Sequence, residues 1–141
     1  MSVSSVITAL QTKHATLSGV TSAPTAVPAS LNTSDLPMII TLPGPATWNH
    51  AAMALPRTER TYVVRCYIDA VAQGLGVDEG YQSTVTMIQT MGDAYKVWQN
   101  WNSTNFEQIR TVSDEGHQIL NYAGVDYHGC TFQLSIVEKP A

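Results

Sequence analysis

The sequence predicts an α+β fold: a mainly antiparallel sheet of about four strands in two hairpins, packed on two amphipathic helices. The period of a strand with one buried face runs through Thr58–Val71 (TERTYVVRCYIDAV) and returns at Cys130, Phe132, Leu134 and Ile136. Helical spacing, with apolar residues three or four apart, appears near the start of the chain and again from Tyr81 to Trp98. The resulting order is helix, strand, strand, helix, strand, strand, which two hairpins satisfy if they join into one sheet with both helices on its apolar face.

The first helix is expected over residues 3–17, where Val3, Val6, Ile7, Leu10, His14 and Leu17 make one stripe, with Ser2 or Ser4 as cap and Gly19 as stop. From Thr21 to Asp35 the chain is rich in Ser, Thr, Ala and Pro. Pro24 and Pro28 exclude helix, so this stretch reads as a connection over the surface. The β-branched run MIITL, residues 38–42, is a short strand closed by Pro43-Gly44-Pro45. Residues 46–59 (ATWNHAAMALPRTE) have no clear period, and a hairpin connection projecting at about 43–58 is expected there.

In the strand 58–71, Tyr62, Val64, Cys66, Ile68 and Ala70 share the core face. Thr61, Val63, Arg65, Tyr67 and Asp69 share the other, whose mixed character implies a second layer or another subunit. At about 3.3 Å per residue this strand spans roughly 46 Å, against a diameter of roughly 37 Å for a compact chain of this size, so it must bend, twist or project. Gln73-Gly74-Leu75-Gly76 breaks the chain, and Asp78 and Glu79 suit a helix N-terminus. Tyr81, Val85, Ile88, Met91, Tyr95 and Trp98 then form a long helical stripe read as core. Residues 99–106 (QNWNSTNF) are loop by composition. The region Ile109–Glu138 is a hairpin that turns at either Asp114-Glu115-Gly116 or Gly124-Val125-Asp126.

A chain of 141 residues is long enough for one domain with its own core. Charged residues make up 13%, about half the usual share, which favours a protein that spends its life assembled. The net charge of −4 and the single, scattered Lys and Arg residues argue against a basic nucleic-acid surface. No basic-then-apolar leader and no bilayer-length apolar run is present, so a cytosolic protein without membrane contact is expected.

Chemistry finds little purchase. Cys66, Cys130 and His128 share strand faces that would supply three ligands of a zinc site, but a Cys beside Phe132 and Leu134 is more simply reduced core. A cysteine nucleophile would need His117 or His128 as base, and nothing in the spacing brings either to Cys66. The pairs Asp78/Glu79 and Asp114/Glu115 have ordinary roles at a helix start and a turn. Phosphate-cradling, dinucleotide and nucleophile-elbow motifs do not occur. No catalytic, cofactor-binding or metal residues are assigned, and the chain is expected not to be an enzyme. What remains is a contact surface: Trp48, Asn49, His50, Met53, Leu55 and Arg57 on the hairpin connection, with Arg65 and Tyr67 on the outer face of the long strand.

The order of elements, with LPMIITLP, TERTYVVRCYIDAV, MIQTMGDAYKVWQ and YHGCTFQLSIVEK in sequence, resembles the tail terminator (tail completion) proteins of long-tailed bacteriophages over essentially the whole chain. The resemblance implies a small α+β subunit without catalytic residues or cofactors, which forms a hexameric ring on the tail tube. It also implies the partners: further copies of itself, the major tail tube protein, and a head-completion or connector protein. DNA would pass through the channel without specific binding. The implied location is the virion tail or neck, after assembly in the host cytoplasm. The related alternative is a head-tail connector or another neck or tail-tube subunit, and the alternative of another class is a small cysteine- or metal-dependent enzyme.

Overall fold

The computed structural model describes residues 3–49, 57–71, 77–98 and 106–138. Its elements are α1 (Val3–His14), β1 (Met38–Asn49), β2 (Arg57–Ala70), α2 (Val77–Trp98), β3 (Phe106–Tyr122) and β4 (Val125–Glu138). The strands form one sheet in the order β1-β2-β4-β3, with every neighbouring pair antiparallel. This is the α+β architecture expected, with α1 over β1 and α2 mainly over β3 and β4.

The helix face of the sheet carries the main core. Tyr62, Val64 and Cys66 of β2 and Cys130, Phe132, Leu134 and Ile136 of β4 meet Val6 and Leu10 of α1 and Met87, Met91 and Tyr95 of α2. The apolar stripe of α2 is rotated from the expected one. Thr84, Met87, Met91, Tyr95 and Trp98 face the core, while Tyr81 and Val85 are 45% and 42% exposed. Thr84 takes the inward place because its hydroxyl donates to the Gly80 carbonyl at 2.8 Å, a bond that satisfies it within the helix. Regular helix in α1 stops at His14, earlier than expected, and tighter turns follow, with Thr16 N–H donating to Lys13 O and Leu17 N–H to His14 O.

β1 does not close at Pro43-Gly44-Pro45 but continues to Asn49. The prolines are tolerated because β1 is an edge strand and its register shifts between Pro43 and Ala46. Gly44 fits this bulge, since a Cβ there would lie 2.7 Å from the Thr61 carbonyl oxygen. Part of the segment expected to project is therefore paired strand, and residues 50–56 lie outside the described residues.

A second bulge, between Tyr67 and Asp69, exchanges the faces of β2. Asp69 becomes the cross-strand partner of His128, whereas Ala70 pairs with Tyr127 and joins the opposite face. On that opposite face a smaller core forms from Met38, Ile40, Tyr67 and Tyr127, with Leu31 and Leu36 packed onto it. The Ser/Thr/Pro-rich stretch is thus a strap rather than a plain surface connection. Ser22 bridges Met38 beside the free edge of β1, the Ile39 N–H donates to Ser22 O at 3.1 Å, and the Tyr122 hydroxyl donates to Pro28 O. At this end the fold has three layers: helices, sheet and strap.

The last hairpin turns at Ala123-Gly124, with φ of 52° and 84°. Two consecutive positive φ values are those of a type I′ turn, whose twist matches the flanking strands. Asp114-Glu115-Gly116 is instead a bulge inside β3. Gly116 has φ 74°, and its N–H donates to Asp114 Oδ1 at 3.0 Å.

Candidate functional site

Among the described residues, the Cys and His side chains of the helix face fall into three groups. Cys66 and Cys130 are direct cross-strand partners, both fully buried and both free. The neighbouring Cys130 thiol, together with burial, pushes the Cys66 thiol well above its ordinary value. A thiol held neutral in this way is not a nucleophile at neutral pH. His128 stacks against the first turns of α2, where a Cβ on Gly80 would approach its Cδ2 to 2.4 Å. Its Nδ1 shares a hydrogen bond with His117 Nε2 at 3.1 Å, its Nε2 is buried without a hydrogen-bond partner, and Tyr81 packs edge-on against His117. Among the described residues no group of three or more His, Cys, Asp or Glu is arranged to hold a metal ion.

The third group is a closed polar network. Gln11 Nε2 donates to the carbonyls of Pro24 and Ile39, at 2.7 and 2.8 Å. Its Oε1 accepts from the Thr41 hydroxyl and from His14 Nδ1, each at 2.8 Å, so His14 Nε2 is left to accept from the Tyr95 hydroxyl at 2.8 Å. Burial pulls the His14 imidazole down to about 3. Every member of the network is satisfied, and it fastens α1, the strap, β1 and α2 to one another. Sequence reading placed His14 on the stripe but passed over Gln11, a polar residue beside Leu10 and three before His14. That spacing was the available signal.

The expected contact residues are spread over the first hairpin and the outer face. Trp48 and Asn49 pair with Thr58 and Arg57 at the far end of β1 and β2. His50, Met53 and Leu55 lie outside the described residues. Tyr67 is 2% exposed, with its ring against Tyr122 and Tyr127 beneath the strap, so it belongs to the chain's own second core rather than to a free surface. Arg65 sits beside it between Ile40 and Thr131, its charge close enough to act on the Tyr67 hydroxyl, and is partly exposed. Beyond the strap the outer face continues through Leu42, Val63, Gln133 and Ser135, a half-exposed surface of aliphatic and neutral polar groups.

At the hairpin end the charges are engaged with one another. Arg110 meets Glu59 at 3.0 Å, and the Ser135 hydroxyl donates to the same carboxylate at 2.6 Å. Those contacts hold the Glu59 carboxyl below the usual range, the Ser135 bond most. On the helix face the Tyr62 hydroxyl donates to Glu138 Oε1 at 2.7 Å, with Arg60 at 3.5 Å from the same oxygen. A shallow cleft between the end of α1 and the middle of α2 is lined by Ser18, Pro37, Ile68, Ser83, Thr86 and Thr90, and no lining group is charged. No helix among the described residues is long and apolar enough to cross a membrane. No model of a known protein family matches the chain, and no curated protein is similar to it.

Proposed function

We propose that the protein is a structural subunit of a long-tailed bacteriophage, a tail terminator that assembles as a ring, caps the tail tube and presents the surface for head joining. The observation that carries this reading is a single sheet of four long strands, of 12, 14, 17 and 14 residues, with one helix before the first hairpin and one between the two, the element order of that family. Strands of fourteen residues reach roughly 46 Å, more than the roughly 37 Å diameter of a compact chain of this size, and a sheet this long presents an extended face to a neighbour. The low charge content is in keeping with a subunit that buries surface on assembly.

A ring of six copies at −4 each carries −24. An acidic or neutral channel would let DNA pass without the tight, salt-sensitive grip that clustered Lys and Arg impose. The test is to make particles lacking this protein and measure their tails. Tails of uncontrolled length that fail to join heads are expected. Tails of normal length would overturn the terminator assignment, and normal tails that still fail to join heads would point to a connector.

A further inference from the structure

We propose that Cys66 and Cys130 form a redox-convertible dithiol, which a small-molecule disulfide such as oxidised glutathione converts to a bridge between the two central strands, β2 and β4. The two residues face each other in register and occupy one row across the sheet with Ile39 and His117. Both are fully buried on the same face of the sheet, within the main core. Directly opposed residues of an antiparallel pair have Cα atoms about 4.5–5.5 Å apart, inside the roughly 4.4–6.8 Å that a disulfide spans. Their Cβ atoms are typically about 4.5–5.5 Å apart, at or above the upper end of the disulfide range. Closing the bridge therefore draws the two strands together locally. A bond under such tension is more readily reduced than a relaxed one, so the pair is suited to reversible conversion rather than to a permanent staple.

The exchange balances in two displacements. One cysteine, as thiolate, attacks a sulfur of oxidised glutathione; the glutathione S–S bond breaks, and one glutathione leaves and takes up the proton. The second cysteine loses its proton and attacks the protein sulfur of the mixed disulfide, forming the Cys66–Cys130 bond and releasing the second glutathione. Two protein thiols are oxidised and one glutathione disulfide is reduced to two thiols. The adjacent Cys130 thiol and burial keep Cys66 protonated, so the reaction proceeds through opening of the core and quickens when opening is made easier.

The test incubates the full chain with excess oxidised glutathione in urea below the unfolding midpoint, followed by acid quench, intact mass and a thiol count under denaturing conditions. The expected product is lighter by two hydrogen atoms, has no free thiol and no glutathione adduct, and keeps the native circular-dichroism spectrum after the urea is removed. Dithiothreitol restores the original mass. Cys66→Ser and Cys130→Ser each stop at a single glutathione adduct. The mass of the unsubstituted chain decides the matter if either variant fails to fold. Two thiols still free, accumulation of glutathione adducts on the unsubstituted chain, disulfide-linked dimers, or a bridged chain without the native spectrum would each overturn the proposal.

Discussion

Burial holds the His14 imidazole down to about 3 from its ordinary 6.5, so the folded chain keeps it neutral over a range in which the unfolded chain protonates it. Across that range the unfolded state binds the extra proton, and stability falls as the pH drops, by up to roughly 5 kcal/mol at the acid limit. That is comparable with the whole stability of a small domain, about 5–15 kcal/mol. His14→Leu should cost roughly 2–3 kcal/mol near neutral pH, because the Tyr95 hydroxyl is left without an acceptor and Gln11 Oε1 loses a donor. The same change should flatten the loss between about pH 6.5 and about pH 4. Urea unfolding across that range checks both, and a variant as acid-sensitive as the parent would show that another group carries the effect. Gly80→Ala tests the neighbouring histidine pair. Alanine gains about 1 kcal/mol of helix propensity, but its Cβ would meet a rigid, buried His128 ring at 2.4 Å, and overpacking of that kind costs roughly 1–3 kcal/mol or more. Net destabilisation is expected, and a raised melting temperature would contradict it. Periodicity could place His14 and His128 on the inner faces. It could not reveal that Gln11 or Gly80 makes those positions tenable, since that depends on partners far away in sequence.

Alternation made the strands legible where one face meets a continuous core, as in Tyr62–Ile68 and Cys130–Ile136, and it failed where a bulge resets the period. The shift after Tyr67 sends Asp69 and Ala70 to faces opposite those expected, and the bulge at Pro43–Ala46 carries β1 through a sequence that reads as a stop. The strap was hidden for a different reason. Its composition is that of a loop, and its anchors are backbone carbonyls bonded by distant side chains and two leucines, Leu31 and Leu36, meeting a tyrosine-rich patch assembled from β2, β3 and β4. The turn of the last hairpin also hides itself, because Ala123 occupies a left-handed position usually given to Asn, Asp or Gly. Ala123→Asn should therefore stabilise the protein by about 0.5–1 kcal/mol, since asparagine tolerates that conformation better and alanine is strained there. Thermal unfolding measures this. A loss of stability would mean that the turn in solution is not the I′ turn.

At the scale of the whole molecule, both edges of the sheet are guarded against further strands. β1 offers two prolines without N–H groups and is bridged near its start by Ser22, while β3 is interrupted by register shifts at Phe106–Gln108, Ile109–Thr111 and Asp114–His117. Self-association by extending the sheet is thereby disfavoured, and a ring of these subunits would have to use side-chain surfaces. The outer face beyond the strap supplies one, with Arg65 as a cation amid aliphatic and neutral polar groups. A charge reversal there changes a partly exposed residue that is not part of the main core, so Arg65→Glu should leave the fold intact, with a melting temperature within about 3 °C of the parent. If the outer face is the contact of the proposed ring, the change should nevertheless abolish ring formation in light scattering or electron micrographs, because a carboxylate would replace the guanidinium there. Pro43→Thr with Pro45→Thr asks the complementary question. That pair restores two N–H donors to an edge strand and should add concentration-dependent aggregation while leaving rings able to form. An Arg65→Glu protein that assembles as well as the parent would remove the outer face from the ring contact. Loss of rings in the proline variant, with the subunit still folded, would move the contact to the edge strand β1.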